Sequence, residues 1–356
     1  MSDPSAPSRP PRWRRRLLGS VTVLLLFFGG VELVLRLVGF DDHSLMRWTG
    51  EMGRGQDLVL YSGELFDSDP ELIWALRPGV STTWFEKPVQ VNSLGLRDRE
   101  IAPDKPANTS RVLCLGDSSV FGHGLEVDHG FPRQLEAALS THHGGNRYEV
   151  INLGVPGYST QQSLIQLRRL APVLQPDFLV IYNAHSDYYL DAVEDKERVD
   201  LLASQSNQLH RHSRLYQLLR KLLLPLAVRV SGRHDPFCTH RVSLEDYRTN
   251  LEAMIADGAR RGAGSILVVA PLVLREKRSE AEVGAERALM YWDVMREVGA
   301  ANDTPVVDMH QKLGDRMYNE REKLFLDDCH PTRWGNALIT DELRLTIERM
   351  AAQGRR

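Results

Sequence analysis

The sequence has little cysteine. Its 356 residues include 3 cysteines, and no two of them stand in a CxxC spacing. An odd and unpatterned set of this kind is typical of neither a structural zinc site nor a disulfide framework. A single disulfide between Cys238 and Cys329 remains as a candidate, because such bonds persist in proteins exported from the cytoplasm.

The main part of the chain also lacks an excess of positive charge. The formal net charge is −3, and residues 1–16 contain five arginines and one aspartate, so the remainder carries −7. Nucleic-acid-binding domains need a basic surface that neutralises phosphates. The composition therefore argues against a nucleic-acid partner.

The 12 histidines lack the spacing of a metal site. Metal-binding histidines commonly recur a few residues apart within one element. The one HxH pair lies in a polar stretch away from the predicted strand ends, and five further histidines are scattered. The pair is His210 and His212, and the scattered residues are His123, His129, His142, His143 and His185. We expect no metal ion and no cofactor.

One long hydrophobic run is present, at residues 17–40, directly after the basic residues 12–16. As a helix it would extend about 36 Å, which exceeds the ~30 Å hydrocarbon core of a bilayer. Glu32 and Arg36 are spaced i, i+4 near its far end, where they can pair. The run predicts a signal-anchor, with residues 1–16 in the cytoplasm by the positive-inside bias. The alternative is a cleaved signal peptide, although no small-x-small site follows the run.

Two kinds of sequence follow the hydrophobic run. Residues 41–110 contain several prolines and short β-prone pieces at 81–85 and 89–92, which predict an extended lead-in with a small strand or two. From residue 111 onward, short apolar runs alternate with helical patterns, which is typical of a parallel sheet covered on both faces. We therefore predict an α/β fold over 111–352, a three-layer α/β/α sandwich with right-handed crossovers.

The alternation predicts explicit bounds for the elements. Strands are expected at 111–115, 148–153, 177–183, 265–270 and 304–308, and helices near 131–140, 160–173, 244–261 and 332–352. Residues 188–243 fit the alternation poorly, so they are expected to form an insertion beside the sheet. This insertion contains a Leu-rich helix candidate at 215–230, which Pro225 interrupts.

The first predicted strand ends in Gly116-Asp117-Ser118-Ser119. In open α/β sheets, ligands bind where the strands end. A serine on a tight turn between a strand and a helix exposes its hydroxyl beside backbone N–H groups, which is the arrangement that nucleophilic catalysis needs. Ser118 is therefore a candidate nucleophile.

Three further polar segments accompany this turn. The strand at 148–153 leads into a glycine-marked turn at 154–160, and the strand at 177–183 leads into residues 184–187. Near the C-terminus, Asp327 stands three residues before His330. A carboxylate at that spacing can accept the Nδ1 proton of the histidine and leave Nε2 free to act as a base.

These segments make the sequence similar to the SGNH, or GDSL-type, hydrolase family. The matching blocks, within residues 109–350, are Gly116-Asp117-Ser118-Ser119, Asn152-Leu153-Gly154-Val155-Pro156-Gly157 and Asp327-Asp328-Cys329-His330. The lead-in at 91–97 and the hydrophobic run resemble the membrane-anchored bacterial members. The resemblance implies a flavodoxin-like sheet topology, an anchor in the bacterial inner membrane, and a catalytic domain that faces the periplasm or the cell exterior.

The resemblance also implies residue roles. Ser118 is the nucleophile, His330 the general base and Asp327 its orienting partner. The backbone N–H groups of Ser118 and Gly157 form two arms of the oxyanion hole.

The third arm departs from the family pattern. The family usually has Gly-x-Asn-Asp in its third block, whereas this chain has Ala184-His185-Ser186-Asp187, so Ser186 occupies the Asn position. A serine hydroxyl can donate a hydrogen bond, but it is shorter and rotates freely. Asn183 is a candidate substitute donor.

The expected activity is hydrolysis of an O-acyl ester of an extracytoplasmic glycan or lipid. Two alternatives stay open at this stage. One is an O-acyltransferase that uses the same triad, and the other is a weak or inactive member that binds glycan or an assembly partner. The sequence does not specify an oligomeric state.

Overall fold

The computed structural model describes residues 12–40, 64–142, 147–183, 185–191, 194–203, 212–219, 222, 239–273 and 279–355. The chain divides into two compact units. One unit comprises Met1–Leu45 and Ala203–His234, and the other comprises Met46–Leu202 and Asp235–Arg356. The candidate site lies entirely in the second unit.

The first unit contains a long N-terminal helix, α1 (Arg12–Leu37). Its residues Arg16–Leu37 have a mean hydropathy of 2.2 and the length of a membrane span, features that a signal sequence shares. The predicted i, i+4 pair is confirmed, because Arg36 donates to Glu32 at 2.8 Å. Glu32 also accepts the backbone N–H groups of Arg214 and Leu215, which begin the short helical stretch 214–219.

Several predictions for the insertion fall outside the described residues. Most of the Leu-rich candidate at 215–230, including Pro225, lies there, as do His210 and Cys238. Cys329 is a free thiol buried beside the His330 ring, with Sγ 3.7 Å from Nδ1. The structure therefore does not support the candidate disulfide from Cys329 to Cys238, a residue that lies outside the described ones.

The lead-in of the second unit forms two antiparallel β-hairpins. The first pairs β1 (Phe66–Asp69) with β2 (Ile73–Leu76), and the second pairs β3 (Ser81–Trp84) with β4 (Lys87–Gln90). Phe85 and Glu86 turn the second hairpin with positive φ values of 46° and 61°, typical of a type I′ turn. The sequence indicated the second hairpin and missed the first.

Five parallel strands form the central sheet. They are β5 (Thr109–Gly116), β6 (Arg147–Gly154), β7 (Phe178–Tyr182), β10 (Gly264–Val269) and β11 (Val306–Asp308). A separate antiparallel pair, β8 (Leu190–Asp191) and β9 (Thr239–His240), lies at the base of the insertion. The order across the sheet is β11-β10-β7-β5-β6. In chain order this is the 2-1-3-4-5 pattern of flavodoxin-like folds, so the predicted topology is confirmed. The direction of winding reverses between β5 and β7, and Ser118 directly follows β5.

Helices cover both faces of the sheet. They are α2 (Ser118–Phe121), α3 (Phe131–His142), α4 (Thr160–Leu174), α5 (Asp195–Ala203), α6 (Leu244–Ala259), α7 (Ser279–Ala301), α8 (Met309–Leu313), α9 (Arg316–Asn319), α10 (Arg321–Leu324) and α11 (Arg333–Ala352). Alternate residues of β5 enter different cores: Leu113 and Leu115 face α4, α6 and α7, whereas Val112 and Cys114 face α3 and α11. This period of two in a strand buried on both faces produces the three layers. The helix α7 was not predicted, because its first half has no clear apolar periodicity.

The edge of the sheet at β6 is closed by carboxylates. Glu136 accepts the backbone N–H of Val150 at 2.8 Å, and Asp98 accepts that of Asn152 at 2.9 Å. Arg133 pairs with Asp98 behind this edge. The strand that ends in the second family block is thus held without a further strand beside it.

Candidate active site

The nucleophile turn is fixed by two close backbone approaches. Asp117 caps α2 by accepting the N–H of Ser119 at 2.9 Å, so the helix begins at Ser118. A Cβ atom on Gly116 would lie 2.3 Å from the carbonyl oxygen of Tyr182. A Cβ atom on Gly154 would lie 2.3 Å from the backbone nitrogen of Phe121. Both glycines are therefore required for β5, β6 and α2 to meet at the serine.

The base is held by a compact loop before α11. Asp327 Oδ1 accepts the backbone N–H groups of Cys329 and His330 at 2.9 and 2.8 Å. Its other oxygen lies 2.6 Å from His330 Nδ1, and His330 Nε2 lies 2.7 Å from Ser118 Oγ. The structure thus places the three predicted residues in one hydrogen-bonded chain, although Ser118 and His330 are 212 positions apart.

The electrostatic surroundings of His330 make it a strong base. Burial lowers the pKa of His330, but the adjacent Cys329 sulfur and the Asp327 carboxylate hydrogen-bonded at Nδ1 raise that pKa well above the usual 6.5. Burial raises the pKa of Asp327, but the hydrogen bond and positive charge of His330 outweigh it and hold that pKa below 3.8. Burial raises the pKa of the Cys329 thiol, which keeps it protonated at neutral pH.

The second family block forms a tight turn after β6. The N–H of Tyr158 donates to the carbonyl oxygen of Val155 at 3.1 Å, and Gly157 has a φ of 78°. The N–H of Val155 donates to the carbonyl oxygen of Gly116 at 3.1 Å, which ties this turn to the nucleophile turn. The two predicted oxyanion arms therefore come from directly connected turns.

The third block is buried, and its polar groups are only partly paired. Ser186 is 3% exposed. The Asn183 amide donates to the carbonyl oxygen of Tyr158 at 3.3 Å, so this candidate donor already has an acceptor. Asp187 accepts both the N–H and the hydroxyl of Thr160, and thereby joins the third block to the start of α4.

A second imidazole lies against the base. The rings of His123 and His330 are stacked with centroids 4.2 Å apart and an interplanar angle of 23°, and the Phe85 ring centroid lies 4.2 Å from that of His123. Burial and the neighbouring His330 lower the pKa of His123 to about 3, so it is neutral near pH 7. Sequence reasoning treated His123 as a scattered histidine, although its place five residues after Ser118 was a usable signal.

Three potential metal ligands meet in this stack. One ligand atom each from His123, Asp327 and His330 lies within 4.8 Å of the others. Both ring nitrogens of His330 are engaged, by Ser118 and by Asp327. A metal ion at this position would have to displace one of these hydrogen bonds, so the donor set fits an acid-base pair better than a metal site.

The nucleophile helix is also held from the lead-in. The buried Arg97 guanidinium donates to the carbonyl oxygens of Phe121 and Gly122 at 3.0 and 2.8 Å, and to that of Leu125 at 2.6 Å. Phe121 is the last residue of α2, and Gly122 and Leu125 belong to the turn that follows it. Arg97 ends the 91–97 segment that resembles the membrane-anchored members, where the sequence alone suggested no contact with the site.

Comparison with known proteins gives a consistent result. The sequence model of the GDSL-like Lipase/Acylhydrolase family matches residues 114–338, which is more than half of the chain. No curated protein matches the sequence significantly.

Several solved structures resemble this chain. A lipase/acylhydrolase from Enterococcus faecalis is 20% identical with a TM-score of 0.45, over 67% of this chain and 95% of its own. The acetyl xylan esterase AlAXEase is 16% identical with a TM-score of 0.46, over 67% of this chain and 99% of its own. A catalytic mutant of an acetylxylan esterase from Geobacillus stearothermophilus is 14% identical with a TM-score of 0.45, over 66% of this chain and 92% of its own. The family model matches residues 114–338, and the parallel sheet carries the sequence blocks of that family. The chain therefore belongs to the GDSL-like lipase/acylhydrolase family, also called the SGNH hydrolases, which is a family of carboxylic ester hydrolases.

Proposed function

We propose that this chain is a serine esterase in which Ser118 is the nucleophile, His330 the general base and Asp327 its orienting partner. The observation that carries the proposal is the continuous chain from Ser118 Oγ to His330 Nε2 and from His330 Nδ1 to Asp327. The distances of 2.7 and 2.6 Å are those of a base positioned to take the serine proton.

The reaction has two acyl-transfer steps. His330 accepts the hydroxyl proton as Ser118 Oγ attacks the ester carbonyl, and the protonated imidazole then gives this proton to the departing alcohol. In the second step His330 takes a proton from water as the water attacks the acyl-serine; the acyl–Oγ bond then breaks, the imidazolium returns the proton to Ser118 Oγ, and the carboxylic acid leaves. Asp327 stabilises the imidazolium in both steps.

The oxyanion is held by the N–H groups of Ser118 and Gly157, with Ser186 in the third position. Hydrogen-bond donors aimed at developing charge commonly contribute the largest part of such catalysis, and one donor is worth about 10² to 10³ in rate. Because the Asn183 amide is engaged with Tyr158, Ser186 is the stronger candidate for the third arm.

The substrate class follows from the N-terminal helix. With α1 as an anchor, the domain stays near a membrane, and the arginines at the N-terminal end of α1 favour a location of the domain outside the cytoplasm. The esters accessible there are O-acyl groups of envelope glycans and lipids. We therefore infer a periplasmic or cell-surface ester as the substrate.

Replacement of the nucleophile tests the proposal. In the full chain, purified in a mild detergent, Ser118→Ala should reduce hydrolysis of p-nitrophenyl acetate to background, because no other hydroxyl is activated by His330. Ser119→Ala is the matched control, since Ser119 is the adjacent buried serine and accepts no proton transfer in this scheme. Undiminished turnover by Ser118→Ala would refute the assignment.

Because Ser186 occupies the usual Asn position, it favours a second candidate function, that of a family member that transfers acyl groups to water only weakly. A fluorophosphonate probe separates the two, because it labels Ser118 only when base and oxyanion donors cooperate. Labelling of Ser118 without hydrolysis, followed by product formation once a sugar acceptor is added, would indicate an O-acyltransferase. Absence of labelling in the folded protein would indicate a binding role.

A further inference from the structure

The oxyanion turn has a peptide that can point in two directions. Pro156 and Gly157 are its central residues, and the positive φ of Gly157 makes it a type II turn. Types I and II differ mainly by rotation of the central peptide through about half a turn, and glycine tolerates both. The direction of the Gly157 N–H therefore depends on what holds the Pro156–Gly157 peptide.

A side chain from the lead-in holds this peptide. The Trp74 indole N–H donates to the carbonyl oxygen of Pro156 at 3.1 Å, and both groups are buried. In a planar trans peptide, the C=O and N–H groups point in opposite directions. By fixing the Pro156 carbonyl on one side, Trp74 fixes the Gly157 N–H on the other. Donation to the carbonyl also polarises the peptide, which makes its N–H a better donor.

Trp74 is itself firmly placed. Its backbone carbonyl accepts the Tyr158 hydroxyl at 2.8 Å, and the two rings lie edge to face at 6.0 Å. The buried Arg241 guanidinium lies 5.4 Å from the Trp74 ring centroid and donates to the carbonyl oxygen of Gly157 at 2.7 Å. Asp195 pairs with Arg241 at 2.7 Å, so that charge is neutralised inside the protein. Both peptides that flank Gly157 are thus held by side chains from outside the turn.

We propose that Trp74 is a positioning residue that orients the Gly157 N–H toward the oxyanion. This inference rests on the proposed role of that N–H in ester hydrolysis. Trp74 lies in β2, outside the segment 114–338 that matches the family, so the lead-in hairpin completes the active site.

The test removes the indole N–H and keeps an aromatic ring. In the full chain in detergent, Trp74→Phe should lower kcat for p-nitrophenyl acetate at least tenfold and change KM by less than twofold. The acid limb of the pH–rate profile should stay in place, because His330 and Asp327 are untouched. This separation of kcat from KM and from the pH profile distinguishes positioning from general loosening.

Trp292→Phe is the matched control. It makes the same exchange of a buried indole for a phenyl ring in α7, where Trp292 packs against His310, away from the oxyanion turn. We expect a similar change in melting temperature to that of Trp74→Phe, with kcat within about threefold of the unmodified enzyme. Equal losses of kcat in the two variants would overturn the inference.

An isosteric variant tests the same role of Trp74 even if Trp74→Phe fails to fold. A tryptophan analogue in which sulfur replaces the indole N–H can be incorporated at position 74, which keeps the shape of the ring and removes only the donor. It should show the same tenfold loss of kcat, whereas an unchanged kcat would overturn the role of Trp74. Failure of this inference is distinguishable from failure of the proposed function, because retained activity in Ser118→Ala refutes the esterase mechanism whatever Trp74 does.

Discussion

At the scale of single residues, the pairing of His330 with Asp327 decides how activity responds to pH. His330 can accept the serine proton only in its neutral form. The Cys329 sulfur and the Asp327 carboxylate raise its pKa above 6.5 despite burial. We expect kcat/KM to rise with pH through an apparent pKa above 6.5, because the fraction of neutral His330 grows as pH increases. A rate profile over about pH 5–9 measures this.

Asp327→Asn tests the origin of that pKa. Without the carboxylate the pKa of His330 should fall, so the acid limb should move to lower pH, while kcat drops by about 10⁴ because the wrong tautomer is favoured. Asp328→Asn is the matched control: Asp328 is the neighbouring carboxylate and pairs with Arg321 at 3.0 Å, away from His330. An acid limb that stays in place in Asp327→Asn would contradict the assigned pairing.

At the scale of elements, the site depends on how closely α2 approaches β6. Gly154 leaves no space for a side chain, since a Cβ atom would lie 2.3 Å from the Phe121 nitrogen and 2.6 Å from the Val120 carbonyl carbon. These atoms belong to the backbone of the helix that begins with Ser118, so they cannot move without moving the nucleophile. Arg97 also binds the C-terminal end of this helix, through the carbonyl oxygens of Phe121 and Gly122.

Gly154→Ala should therefore displace α2 and reduce kcat/KM by about 10², as a 1 Å misplacement of catalytic groups can. We expect a loss of about 1–3 kcal/mol in the free energy of unfolding from overpacking, measured by urea denaturation. Gly130→Ala is the control, because a Cβ atom there meets its nearest neighbour at an ordinary 3.5 Å. Wild-type rates in Gly154→Ala would show that the helix is not fixed by this contact.

The sequence predicted those parts of the fold and site that local patterns encode. The strand β5 is a short apolar run followed by the Ser118 turn, and Asp327 is three residues from His330, so both are readable from neighbouring positions. Trp74 and Arg241 were missed because they reach the oxyanion turn across 82 and 84 positions. A single tryptophan in a lead-in has no periodicity, and its contact depends on how the hairpin packs.

At the scale of the whole molecule, both the central sheet and the lead-in contribute residues to the site. Ser118 follows β5 at the point where the winding reverses between β5 and β7, which is the place where open α/β sheets bind ligands. The family match begins at residue 114, yet Trp74, Phe85 and Arg97 all contact the site from before it. The catalytic domain should therefore be understood as including the hairpins of the lead-in.

The proposed location of the chain rests on the apolar N-terminal helix α1. As an uncleaved anchor, α1 should keep the full chain in the membrane pellet after an alkaline wash, and detergent should release it. Leu25→Arg places a charge in the centre of the apolar segment, at a cost of about 2.5–3.5 kcal/mol, and should weaken retention. Leu17→Arg is the control, because a long side chain at the basic end can reach the interface. A soluble chain whose N-terminal sequence starts beyond residue 37 would show instead that the helix is a cleaved signal sequence.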